Sequence, residues 1–250
     1  DTNWALNSLV RYFQEPTAAD TNGIATSQTP TAAGNLTLDG ALTATVNGNS
    51  IYAPALGSAV STTADGAWAR KIGITSDGND SGVTFTVYGT DVDGKALSEA
   101  ITGPNAGTVY TTDGTATNFK SVTRIAISAA GTGNITAGTA AVAADVYCRA
   151  LGVIPYQSTI TGIKIWVGEV FNAGTADPME IGKSDDPDYL ADLVDGTMGA
   201  VTTTGNTGGA VTVDATQSAV WKSVSQEDTG SDSVAYDSDV QAVLTYTPTG

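Results

Sequence analysis

Four groups of acidic side chains stand at spacings that could do chemistry. Asp77-Gly78-Asn79-Asp80 and Asp91-Val92-Asp93-Gly94 each cluster oxygen donors, the ligands that a hard cation such as Ca2+ prefers. Neither run continues to the bidentate Glu that closes an EF-hand loop, and tight turns demand the same residues at the same places. The turn is the preferred reading of both. Asp185, Asp186 and Asp188 precede a short apolar stretch and suit a helix start, where the dipole favours negative charge; a metal or partner patch is the other reading. Asp237 and Asp239 share one face at strand spacing and read as a solvated sheet surface. Paired carboxylates can cleave glycosidic bonds without histidine, but a pair singles out nothing in a chain with 26 Asp and Glu. Trp4, Trp68, Trp166 and Trp221 offer faces on which a sugar could stack, although Trp in a β-protein is more often core or interface. The glycines from Gly205 to Gly209 lack the Lys, the preceding strand and the following helix of a phosphate loop. The expectation is therefore a protein with no catalytic residue, no cofactor and no metal.

Composition narrows the chemistry further. The 250-residue chain has no His and a single Cys, which removes imidazole bases, Ser-His and Cys-His pairs, intrachain disulfides and thiolate metal clusters. Cys148 reads as a small buried hydrophobe. Ten Lys and Arg stand against the 26 acids, a net charge of −16, which argues against nucleic-acid binding because phosphate affinity rests on clustered cations. No apolar run is long enough for a transmembrane helix, and Asp1-Thr2-Asn3-Trp4 lacks the basic start and apolar stretch of a signal peptide. Synthesis in the cytoplasm is expected.

The elements that must position these groups read as β. Val83, Phe85 and Val87 alternate with Thr84, Thr86 and Tyr88, the period of a half-buried strand. Asp93-Gly94 marks a hairpin turn, and Leu97, Glu99 and Ile101 then alternate with small residues. Trp68, Arg70, Ile72 and Ile74 form a further alternating run. So do Val122 to Ile127, closed by Gly131-Thr132-Gly133-Asn134. Leu151 to Pro155 reads as a boundary strand, Ile160 to Phe171 as a long strand, residues 199–215 as hairpin material, and Val240 to Tyr246 as the closing strand. Abundant Thr fits, since Thr favours strands and keeps a solvent face polar without charge.

The first residues differ. Leu6, Leu9, Val10 and Phe13 fall at the spacing of a short amphipathic helix ended by Pro16. Residues 17–35 are rich in Thr, Ala, Gly, Asn and Gln and read as an extended arm, lying either along its own domain or on a neighbouring subunit. The chain is thus expected to be all-β, with an arm at 1–35 and β-sandwich domains, immunoglobulin-like or jelly-roll-like, at 36–147 and 148–250. Residues 1–150 hold seven basic and twelve acidic groups, a balance of −5, whereas 151–250 hold three and fourteen, a balance of −11. The second domain is expected to face solvent and the first to dock.

The run from Ala18 to Pro30, followed by Gly34-Asn35-Leu36-Thr37-Leu38-Asp39-Gly40, resembles the start of tailed-phage virion proteins. Ile74 to Val87, continuing through Gly89-Thr90-Asp91 and Ile101-Thr102-Gly103-Pro104-Asn105, does so too. The resemblance covers most of residues 15–140 and, more loosely, Val153 to Phe171. The family is the head decoration, or cement, proteins on the outside of tailed-bacteriophage capsids. It implies β-sandwich domains, binding to the major capsid protein and self-association as a homotrimer; the charge and the lack of a long apolar run set the expectation of neither nucleic-acid nor membrane partners. Trp4, Leu6, Leu9, Val10 and Phe13 are the capsid-interface candidates. The alternative is a head spike, tail or fibre protein that binds host-surface glycans.

Overall fold

The computed structural model describes residues 20–40, 43–46, 49–52, 68–139, 146–154, 166–167, 179–193, 209–210 and 240–247. Every regular element among them is a strand, paired antiparallel. No helix among them is long and apolar enough to cross a membrane.

Two sheets enclose the first core. One runs in the order β1 (Ala25–Gln28), β10 (Ile135–Thr139), β5 (Ile72–Asn79) and β8 (Asn105–Tyr110). The other orders β3 (Thr43–Val46), β4 (Asn49–Tyr52), β9 (Ser121–Ile127), β6 (Thr84–Thr90) and β7 (Ala96–Thr102), with β2 (Gly34–Asn35) also on β9. Alternation decides which side chains meet between them: Ile72, Ile74, Ile135 and Ala137 from the first sheet, and Phe85, Val87, Ile101, Val122, Ile125 and Ile127 from the second. Ile24, Ala25, Leu36, Val83 and Phe119 complete the cluster. Burial of these aliphatic and aromatic groups, each contributing about 1.5–3 kcal/mol, holds the layers together.

Local chemistry sets the register. β6 and β7 pair from Thr84 with Thr102 to Thr90 with Ala96, around a turn in which Asp91 Oδ1 accepts the Lys95 N–H at 2.8 Å and Gly94 takes φ +81°. That left-handed value is one that glycine adopts without strain. The β6–β9 ladder slips between Tyr88 and Gly89, where the Ser121 carbonyl lies so close that a Cβ at residue 89 would overlap it.

The second unit is a sheet ordered β11 (Tyr147–Ile154), β16 (Val240–Tyr246), β13 (Met179–Lys183) and β14 (Asp186–Leu193). A two-stranded ribbon pairs β12 (Trp166–Val167) with β15 (Gly209–Ala210). A short extended segment joins the two units: Ala69 and Cys148 exchange backbone hydrogen bonds at 2.7 and 3.0 Å, and Arg70 and Phe119 at 3.1 and 2.9 Å. The boundary expected at 147–148 therefore falls in β11, at a strand that is hydrogen-bonded to the first unit.

One expectation is decided between its alternatives and one is corrected. Residues 17–35 are expected to lie either along their own domain or on a neighbouring subunit, and residues 20–35 lie along their own, with β1 and β2 built into the two sheets and Ile24 and Ala25 fully buried. Pairing with Ala137, more than a hundred residues away, supplies the structure that the local composition does not announce. Asp185, Asp186 and Asp188 do not start a helix. Ser184 and Asp185 form the turn of a hairpin, and Asp186 opens β14 opposite Lys183. Turns and helix starts favour the same short polar side chains, and here the partner strand decides between them.

Candidate functional site

Of the acidic residues singled out by spacing, Asp80, Asp91, Asp93 and Asp185 lie at corners or turns between strands, whereas Asp77 is in β5 and Asp186 and Asp188 are in β14. Asp77, Asp80 and Asp93 tie separate stretches of chain together. Asp80 sits at the corner where residues 80–83 carry the chain from β5 to β6. Its N–H donates to the Pro104 carbonyl at 2.8 Å, in the connection from β7 to β8. Its side chain has no exposed surface. Ser76 Oγ donates to Oδ2 at 2.5 Å, while the Thr132 N–H and hydroxyl donate to Oδ1 at 2.7 and 3.1 Å. Burial alone would raise this carboxyl's pKa, but the hydrogen bonds from Ser76 and Thr132 outweigh it and hold the group below its ordinary value. Asp77 accepts the Asn134 side-chain amide at 2.8 Å and its backbone N–H at 2.6 Å, and these bonds lower its pKa too. Asp77, Asn79 and Asp80 together anchor the 131–134 loop, because Thr132 Oγ1 also donates to the Asn79 carbonyl at 2.8 Å.

A recurring device emerges from these contacts. Asp80 holds Thr132 by both its N–H and its hydroxyl, and two other carboxylates hold a threonine in the same way. Asp39 accepts the Thr26 N–H at 2.9 Å and hydroxyl at 2.7 Å, and its pKa is lowered accordingly, first by the backbone bond. Glu99 Oε1 accepts the Thr112 N–H and hydroxyl, both at 2.9 Å. Charge-assisted bonds of this kind are about twice as strong as neutral ones. Each clasp fastens a connecting segment to a strand or to a second connection, and together they give part of the abundant Thr a structural use.

The two hairpin turns also meet. Asp93 Oδ2 accepts from Lys95 Nζ at 3.0 Å and from Ser184 Oγ at 2.8 Å, which links the β6–β7 turn to the β13–β14 turn of the second unit. The bond to Asp93 raises the Lys95 pKa. Beneath this contact Val92, Ala69, Cys148 and Val243 form a small shared core. On the other side of the joining segment Trp68, Tyr147 and Tyr246 pack ring against ring, with centroids 6.0–6.3 Å apart. The Arg70 guanidinium lies 4.7 Å from the Tyr147 ring centre and donates to its hydroxyl at 2.9 Å. Trp68 thus belongs to the interior and offers no sugar a face. Cys148 is buried, as its sequence context predicts.

Of the interface candidates, Trp4, Leu6, Leu9, Val10 and Phe13 all lie outside the described residues, as do Trp221, Asp237 and Asp239. Among the described residues no group of three His, Cys, Asp or Glu is placed to hold a metal ion. Sequence reasoning passed over Asp113, which accepts from Lys71 Nζ at 3.2 Å, from Asn118 Nδ2 at 3.2 Å and from the Val146 N–H at 3.1 and 3.2 Å. Little local marks it, since two of its three partners, Lys71 and Val146, come from distant stretches of chain. No protein-family model, curated protein sequence or solved structure matches this chain.

Proposed function

We propose that the protein is a non-enzymatic virion structural protein that decorates and stabilises the outer surface of a tailed-phage capsid by binding the major capsid protein. One observation carries this reading: of the carboxylates with the spacing for chemistry, Asp77, Asp80 and Asp93 are engaged in fastening loops and the seam between units, and Asp39 and Glu99 elsewhere in the chain are used in the same way. Asp39, Asp77, Asp80, Asp93 and Glu99 each accept hydrogen bonds from another stretch of the chain. Such a molecule is built to persist.

Its net charge of −16 would be repelled by packaged DNA and suits an exterior position. An added subunit stabilises a shell because its bridging contacts exist only in the assembled state. In this reading the first fifteen residues, with Trp4, Leu6, Leu9, Val10 and Phe13, dock on the capsid, and the chain self-associates as a trimer. Capsids of the encoding phage that lack this protein provide the test. The full chain should co-sediment with them and raise their melting temperature, whereas a variant lacking residues 1–15 should stay in the supernatant with an unchanged circular dichroism spectrum. No binding by the full chain would remove the capsid reading, and equal binding by the shortened chain would remove the docking segment from it.

A further inference from the structure

Lys71, Asp113 and Asn118 form a cluster whose geometry the preceding reading does not use. Arg70 and Phe119 exchange both backbone hydrogen bonds across an antiparallel bridge, so the next residues along, Lys71 and Asn118, stand opposite one another on the other face of that ribbon. Side chains in such a pair are within reach of each other. Asp113 touches both. Its Oδ2 accepts from Lys71 Nζ at 3.2 Å, and its Oδ1 accepts from Asn118 Nδ2 at 3.2 Å. Asn118 is fully buried, and the Lys71 side chain is only 13% exposed, with its ammonium 5.3 Å from the centre of the Tyr110 ring.

A nucleophile and a side-chain amide bridged by a carboxylate are the components of amide exchange. We propose that Lys71 and Asn118 join in an intramolecular isopeptide bond, with Asp113 carrying the proton between them. Asp113 Oδ2 takes a proton from the Lys71 ammonium, freeing the nitrogen lone pair. That pair attacks Asn118 Cγ and forms the new C–N bond. Asn118 Oδ1, which faces the Gly114 N–H at 3.4 Å, takes up the developing negative charge. The Cγ–Nδ2 bond then breaks. The leaving nitrogen already sits at Asp113 Oδ1, which returns the proton so that ammonia departs. The carboxylate then takes the second proton from the former lysine nitrogen, leaving a neutral secondary amide, and passes it to the ammonia, which leaves as ammonium with the carboxylate restored. The lysine ammonium and the asparagine amide are consumed, a secondary amide and ammonium are produced, and no oxidant or other reagent is needed. The bond would tie the start of β5 to the 114–118 turn, whose Asn118 also donates to the Val146 carbonyl of the seam at 2.6 Å. This chemistry does not depend on where the protein resides.

The test is the intact mass of the full chain under denaturing conditions, followed by a peptide map. The expected mass is one ammonia below that of the sequence, with a single branched peptide linking residues 71 and 118. Lys71→Arg should have its full sequence mass, and so should Asp113→Ala. A wild-type chain at full mass would overturn the proposal, as would an ammonia loss that maps elsewhere or persists in Lys71→Arg. Because the wild-type mass is itself decisive, a variant that fails to fold does not weaken the test. An ammonia loss retained in Asp113→Ala would remove Asp113 from the proton path.

Discussion

Asp80 shows how much a single carboxylate does in this molecule. Its oxygens hold Ser76 and Thr132 with no exposed surface of its own, so Asp80→Ala leaves the Ser76 hydroxyl and the Thr132 N–H without this acceptor. The expected cost is about 2 kcal/mol, from the loss of hydrogen bonds to a charged group, read as a lower urea midpoint. Asp39, Asp77 and Asp80 all have folded-state pKa values below the ordinary 3.8. The folded chain therefore binds fewer protons than the unfolded chain in that range. The stability these groups contribute is present above about pH 4 and is lost as pH falls through their lowered values. Urea midpoints should hold level from neutrality to about pH 5 and then decline, less steeply in Asp80→Asn. A decline of equal slope in that variant would contradict the assignment. At this scale the sequence was partly legible: Asp91-Val92-Asp93-Gly94 is turn chemistry, whereas Asp77-Gly78-Asn79 belongs to β5 and only Asp80 reaches the corner that follows. The far partners, Thr132, Asn134 and Ser184, are brought in by the fold and leave no local trace.

Strands carry the next scale. Val83, Phe85 and Val87 turn inward as their alternation predicts, and Trp68, Arg70, Ile72 and Ile74 are all buried, including the arginine that the pattern placed among apolar neighbours. Period-2 patterning is local, so it survives in the sequence. The hairpin that replaces a helix at 184–188 was not legible, nor was the pairing of β1 with β10. Both depend on partner strands that proximity along the chain does not reveal. Gly89 gives a test of register. Because a Cβ there would overlap the Ser121 carbonyl, Gly89→Ala should separate β6 from β9 and cost about 1–3 kcal/mol, the usual range for overpacking. Denaturant unfolding checks this. A variant as stable as the parent would contradict the close approach of these strands.

At the scale of the two units, the joining segment bonds to both of them and is expected to couple their unfolding. Trp68 packs on Tyr147 and Tyr246 while its neighbour Ala69 bonds to Cys148. Trp68→Ala should cost about 3–5 kcal/mol, as large aromatic truncations in cores do, and should divide a single calorimetric transition into two. A single transition with an unchanged midpoint would show that the seam contributes no coupling. On a capsid this coupling would let a docking segment and an acidic outer unit act as one rigid clamp. The net charge of −16 then serves as a surface property suited to an exterior face, while individual acids fasten the interior. The most direct measurement is the position of the protein on an intact particle, read by cryo-electron microscopy of particles labelled with a specific antibody. Antibody density distributed over the outside of the icosahedral head is the expected result; density confined to the tail or fibres, or unlabelled particles, would contradict it.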